Sequence, residues 1–112
     1  AAVAPLVAGH PLEHFAAVAL DRRHRVIASR VLTVGSDCYT VVCPRQIYRW
    51  ALQQGPSGAC AIIIAHNHPS GDPTPSEQDR EVTRRVRRAG EAIGIPLLDH
   101  IVVGAGGSYR RA

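Results

Sequence analysis

ACAIIIAHNHPSGDPTPSEQDREVTRRVRRAGEAI, residues 59–93, is the stretch that decides the fold. Its first part, Ala59 to Ala65, is continuously apolar, as a central strand covered on both faces requires. His66 to Pro75 follows as a turn-rich loop and holds three of the chain's eight prolines, so it is stiff. Ser76 to Ile93 reads as a long helix. With Asp79 set at zero and a step of ~100° per residue, Val82, Val86, Ala89, Gly90 and Ile93 fall within about 80° of it. Arg80, Arg84, Arg85, Arg87 and Arg88 fall outside the arc that those apolar residues occupy. Asp79 therefore heads the buried stripe, at the end facing the loop. Ile95 to Val103 reads as the strand that follows the helix.

Working outward, residues 13–20 read as a buried strand and Asp21-Arg22-Arg23-His24 as a polar hairpin turn. Arg25 to Val34 is a second strand, Gly35-Ser36-Asp37 a turn, and Cys38 to Val42 a short strand. Pro44 opens a helix as a first-turn proline. Ile47, Trp50, Ala51 and Gln54 share one of its faces, and Gly55-Pro56 stops it. Ala1 to Pro11 is a soft lead-in. Gly104 to Gly107 is a glycine-rich turn before a short tail. Strands alternating with helices predict an α/β sandwich with a mixed sheet.

The composition sets bounds on this reading. The chain has 112 residues, of which 46% are apolar. That suits one domain. Only five residues are aromatic, so Ala, Val, Ile and Leu must fill the core. The longest uncharged apolar run is far short of the ~20 residues of a membrane helix, so no membrane partner is expected. Ala1 to Gly9 has no basic flank and does not read as a signal peptide. Cys38, Cys43 and Cys60 are odd in number and form no C-x-x-C pair. A disulfide framework is not expected, and a reducing cytoplasm suits them. The chain contains no methionine, from which we expect residues 1–112 to be a single domain taken from a longer protein.

The chemistry lies between His66 and Asp79. His66 and His68 are two apart at a strand end, so both imidazoles leave the same face. Asp79, on the first turn of the next helix, converges on them. Two histidines and a carboxylate form a familiar catalytic zinc set that leaves the fourth tetrahedral position to water. One Zn2+ per chain is therefore expected. Zinc lowers the pKa of that water towards ~7. The reaction also needs a base and an oxyanion donor. Ser76 is placed for the second task, with its hydroxyl at the helix N-terminus. Ser-x-x-Asp is equally a capping-box pattern, and the two roles are compatible.

His66-Asn-His68-Pro, six further residues and Ser76-x-x-Asp79 resemble the metal-binding motif of the JAB/MPN (JAMM) metalloprotease superfamily. HNHPSGDPTPS with the following DREVTRRVRRAG and the IPLLDHIVVG strand is similar to its bacterial RadC-like branch. The likeness extends to LEHFAAVALD, the RVIA strand and the PRQIYRWAL helix. It implies a cytidine-deaminase-like fold, a mixed sheet with helices on both sides. It also implies a zinc-dependent hydrolase that cleaves an amide or isopeptide bond. The family pattern further implies an upstream glutamate as general base, and Glu13 is the best match in position. Two departures, Pro44-Arg45-Gln46 for the usual Pro-Arg-Glu and Gly35-Ser36 for Gly-Thr, spare the ligand set.

Other residues carry weaker signals. Asp99-His100 matches the branch, and reads either as a satisfied core or edge pair or as support for the site. Asn67 points to the opposite face as a loop-shaping residue, and Asp72 suits a turn. His10, His14 and His24 have no ligand spacing. Cys60 reads as a small core filler. The five arginines of the long helix permit phosphate contact, but no aromatic stacking platform accompanies them. A DNA-associated or metal-binding module without turnover, which the resemblance to the RadC-like branch links to DNA repair or recombination, is the alternative to a hydrolase acting on a peptide or protein.

Overall fold

The computed structural model describes residues 7–8, 13–34 and 43–112. The expected turn at Gly35-Ser36-Asp37, the strand Cys38–Val42 and most of the lead-in lie outside the described residues.

Among the described residues, five strands form one mixed sheet: β1 His14–Leu20, β2 Val26–Val34, β3 Ala61–Asn67, β4 Leu97–Val103 and β5 Tyr109–Arg111. Two helices join them, α1 Pro44–Leu52 and α2 Glu77–Ile93. The spatial order is β2-β1-β3-β4-β5. β1 and β2 make an antiparallel hairpin whose turn is tied by Asp21, which accepts hydrogen bonds from the backbone N–H groups of Arg23 and Arg25. β3 lies antiparallel to β1 and parallel to β4. A parallel pair requires a crossover, and α2 supplies it.

The sheet has a core on each face. Phe15, Ala17, Ala19, Ile62 and Ile64 pack with Ile47, Tyr48, Trp50 and Ala51 of α1 and Val86 of α2. Ala16, Val18, Leu20, Ala61, Ala65, Ile101 and Val103 form the second core with Val7. α1 and α2 therefore cover the same face, and helical Val7 of the lead-in is buried in the core on the other face, in keeping with the expected mixed sheet with flanking helices. The topology gives the reason that α1 and α2 share a face. The β2-α1-β3 and β3-α2-β4 connections both step the same way across the sheet. Right-handed crossovers stepping in one direction lay their helices on one face.

Three expectations change. β3 begins at Ala61 and runs on to Asn67, so His66 and Asn67 belong to the strand rather than to the loop. Pairing with β1 on one side and β4 on the other carries the ladder that far. Asn67 is buried there, and its Oδ1 accepts a hydrogen bond from the backbone N–H of His14. Cys60 is exposed rather than buried. It sits just before β3 at the sheet rim, in an open cleft lined also by Ile27, Gly55 and Gly58. The tail is not loose, because β5 pairs with β4 and Arg111 Nε lies 3.0 Å from Asp99 Oδ2.

The helix joint rests on one glycine. A Cβ at Gly90 of α2 would lie 2.3 Å from the Tyr48 hydroxyl and 2.4 Å from the Ile95 carbonyl oxygen. The Tyr48 hydroxyl lies 3.0 Å from that carbonyl and 3.2 Å from that of Val86. Burial pushes the Tyr48 phenol up to about 12. Ile93, expected on the inward stripe of α2, is 46% exposed in the last turn.

Candidate metal centre

The site stands where β3 ends and α2 begins. His66 faces the helices, because it shares parity with Ile62 and Ile64, and it pairs across the ladder with Phe15. The two rings stack, with centroids 5.9 Å apart. His68 follows one residue beyond the strand, and its backbone N–H donates to the Val103 carbonyl at 2.9 Å. That bond keeps the chain in sheet register through the second histidine. Asp79 is held by its own helix start. The Ser76 hydroxyl accepts the Asp79 N–H at 3.0 Å, and an Asp79 carboxylate oxygen accepts the Ser76 N–H at 2.8 Å. This is a complete capping box, with aspartate in the place usually held by glutamate.

These three elements converge closely. His66 Nε2 lies 2.9 Å from Asp79 Oδ1, and His68 Nε2 lies 2.9 Å from Asp79 Oδ2. The two Nε2 atoms are 3.3 Å apart. Glu13, just before β1, brings Oε1 to 3.7 Å from His66 Nε2. Ligand atoms of Glu13, His66, His68 and Asp79 all lie within 4.8 Å of one another, an arrangement able to hold a metal ion. The expected ligands and the expected base thus come together.

Electrostatics suits a cation. Burial works against the charge of Asp79, but His66 and the Ser76 bonds outweigh it and hold the carboxyl well below the usual carboxylate range. His68 Nδ1 lies 2.9 Å from the Asp72 carbonyl oxygen, which can only accept. The ring proton of neutral His68 is therefore at Nδ1, and its Nε2 presents a bare lone pair to the site. A bare nitrogen beside a carboxylate calls for a positive charge between them, and the N, N, O donor set fits zinc. Asp72 acts through its backbone, and its side chain instead accepts the Thr74 N–H within the loop.

The loop is braced from behind. Ala105 N–H donates to the Gly71 carbonyl at 2.8 Å. At Gly104 a Cβ would lie 2.4 Å from that carbonyl oxygen and 2.8 Å from Pro73 Cδ. The glycine turn after β4 is thus a seat for the His68–Pro75 loop.

Two site residues lie deeper. His100 of β4 is 1% exposed, and its Nε2 is 2.9 Å from His66 Nδ1. Its Nδ1 is 2.6 Å from the hydroxyl of Thr83, which donates to the Asp79 carbonyl at 3.0 Å. Burial drives the His100 pKa down to about 3, so the ring is neutral. His100 supports the site, while Asp99 beside it makes the edge pair with Arg111. Thr83 lies one turn after Asp79 at about 40° on the helical wheel, the one signal in the sequence that places it beside the site. His14 and His24 lie outside the cluster. The arginine face of α2 is exposed as expected, but Arg84 pairs with Glu77 and Glu81, and Arg80 with Glu77, so α2 neutralises part of its own charge.

Among the described residues, no helix is long and apolar enough to cross a membrane. The chain is similar to the UPF0758 protein STH371 of Symbiobacterium thermophilum, at 45% identity over 94% of this chain and 44% of that protein. It is 48% identical to the UPF0758 protein ABC2615 of Shouchella clausii, over 84% of this chain and 40% of that protein. A UPF0758 protein of Thermotoga maritima is 42% identical over 82% of the chain and 40% of its own length. The chain thus spans less than half the length of these curated relatives. The family model described as RadC-like JAB domain matches residues 1–111. A match of that extent, on a mixed sheet that delivers two histidines and an aspartate to one point, places the chain in the RadC-like JAB domain family.

Proposed function

We propose that this domain is a zinc-dependent hydrolase of the JAMM type, acting on an amide or isopeptide bond of a peptide or protein. The observation that carries the reading is the crowding of lone pairs at one point. The two histidine nitrogens, the Asp79 carboxylate and the Glu13 carboxylate converge with too few protons to satisfy them.

His66, His68 and Asp79 would hold the metal, which leaves one tetrahedral position open. Zinc, when bound, supplies the Lewis acidity that lowers the pKa of water towards ~7. Glu13 stands beside the ligands and takes the proton of the attacking water. It then returns that proton to the leaving amine. The Ser76 oxygen already accepts the Asp79 N–H, so its own O–H is free to donate to the oxyanion that develops on the carbonyl.

Metal analysis of protein purified without chelators tests the reading. About one zinc per chain, lost in His68→Ala, is the expected result. The absence of any stoichiometric metal overturns it. An unbiased peptide-cleavage screen of the zinc form then identifies the bond.

A further inference from the structure

We infer that His100 and Thr83 are positioning residues that set the ring of His66 for metal ligation. The inference rests on the metal reading above. It starts from a main-chain carbonyl and works towards the site.

The Thr83 hydroxyl has one proton, and it goes to the Asp79 carbonyl one turn earlier in α2. The same oxygen therefore accepts from His100 Nδ1, 2.6 Å away. The His100 ring is 1% exposed and lies between two partners, and the hydroxyl contact puts its proton at Nδ1. Its Nε2 is then an acceptor, and the atom facing it at 2.9 Å is His66 Nδ1. His66 must donate there, so in the neutral ring that a metal requires, Nε2 is left bare and aimed at Asp79 and His68.

Both histidine ligands are thus prepared alike, by different routes. His68 gives its Nδ1 proton directly to a loop carbonyl. His66 gives its proton to a second histidine, and the relay ends on the carbonyl of Asp79, whose own carboxylate is the third ligand. Every atom of the relay is buried: His66 is 2% exposed, His100 1% and Thr83 4%. Water is not on hand to replace a lost partner. Groups that hold the outer nitrogen of a histidine ligand fix its tautomer and orientation, and their removal typically weakens metal binding ~10–100-fold.

Nitrogen-15 spectra of the histidine rings in the zinc-loaded protein read the relay directly. The expected pattern is a proton on Nδ1 and none on Nε2 in His66 and in His100. A proton on His100 Nε2 overturns the inference. Zinc affinity, read by competition with a chelator, should fall about 10–100-fold in His100→Phe. It should recover in His100→Gln, whose side-chain carbonyl accepts the His66 proton, a rescue that simple packing does not explain. Thr83→Val, which keeps shape and removes the acceptor, should weaken binding in the same direction and serves if His100→Phe does not fold. Wild-type affinity in folded His100→Phe or Thr83→Val overturns this inference alone. Failure of the wild-type protein to take up zinc overturns the metal reading first, and this one with it.

Discussion

Ser76 and Asp79 grip each other twice, hydroxyl to amide at 3.0 Å and amide to carboxylate at 2.8 Å. The helix cap and the proposed metal ligand are therefore one structure. Ser76→Ala removes one of the two bonds. We expect a stability loss of about 1 kcal/mol by urea unfolding, the usual worth of such a cap. Hydrolysis should fall further than stability, by about 10²-fold or more, as for loss of an oxyanion donor. A variant that loses stability but keeps full turnover would leave Ser76 a cap and nothing else.

Glu13 stands 3.7 Å from His66 Nε2, beyond the nearer oxygens of Asp79. Glu13→Gln keeps the size and removes the base. Zinc should stay bound at the wild-type ratio, while cleavage of a model amide should drop about 10²–10⁴-fold. Unchanged cleavage would rule Glu13 out as the base.

Gly104 touches no ligand, yet it should be felt at the metal. A methyl group there collides with the Gly71 carbonyl and Pro73, the frame that presents the Asp72 carbonyl to His68. Gly104→Ala should weaken zinc binding measurably in chelator competition. Gly106→Ala, where a Cβ meets nothing within 4 Å, is the control for backbone effects of the same turn. Equal affinities in both variants and the wild type would show that the seat is not needed.

Tyr48 gives the fold an alkaline limit. Its phenol is neutral in the folded protein up to about 12, against an ordinary value of 10.0. A raised folded pKa of this kind contributes stability below the unfolded value, and that contribution disappears as pH climbs from 10 to about 12. Unfolding free energy should fall across that window in the wild type and fall less in Tyr48→Phe. The variant should also be about 1 kcal/mol less stable at neutral pH, for the lost hydrogen bond. Identical alkaline profiles would overturn the assignment.

The local part of the site was legible from residue spacing alone. Period two brings His66 and His68 to one face, and helical phase turns Asp79 towards them, so the convergence of three residues on adjacent elements needed no tertiary knowledge. His100 was only half legible, because its partner His66 is 34 residues away in the chain. Nothing in an apolar strand says which neighbour a buried imidazole will meet. Cys60 misled because strand parity predicts a face but not whether anything covers that face at the rim. That α1 and α2 share one face of the sheet follows from strand order, which spacing does not reveal.

Strand order also carries a kinetic meaning. The hairpin β1–β2 closes locally, but β3 meets β4 only after the whole of α2 has been threaded over the sheet. Parallel pairing of this kind is delayed by the entropy of closing the intervening loop. The molecule has one tryptophan, Trp50 in α1, which reports the earlier of the two crossovers. In refolding, burial of Trp50 should precede the capture of zinc, and the metal would act as a latch that closes on an already collapsed chain.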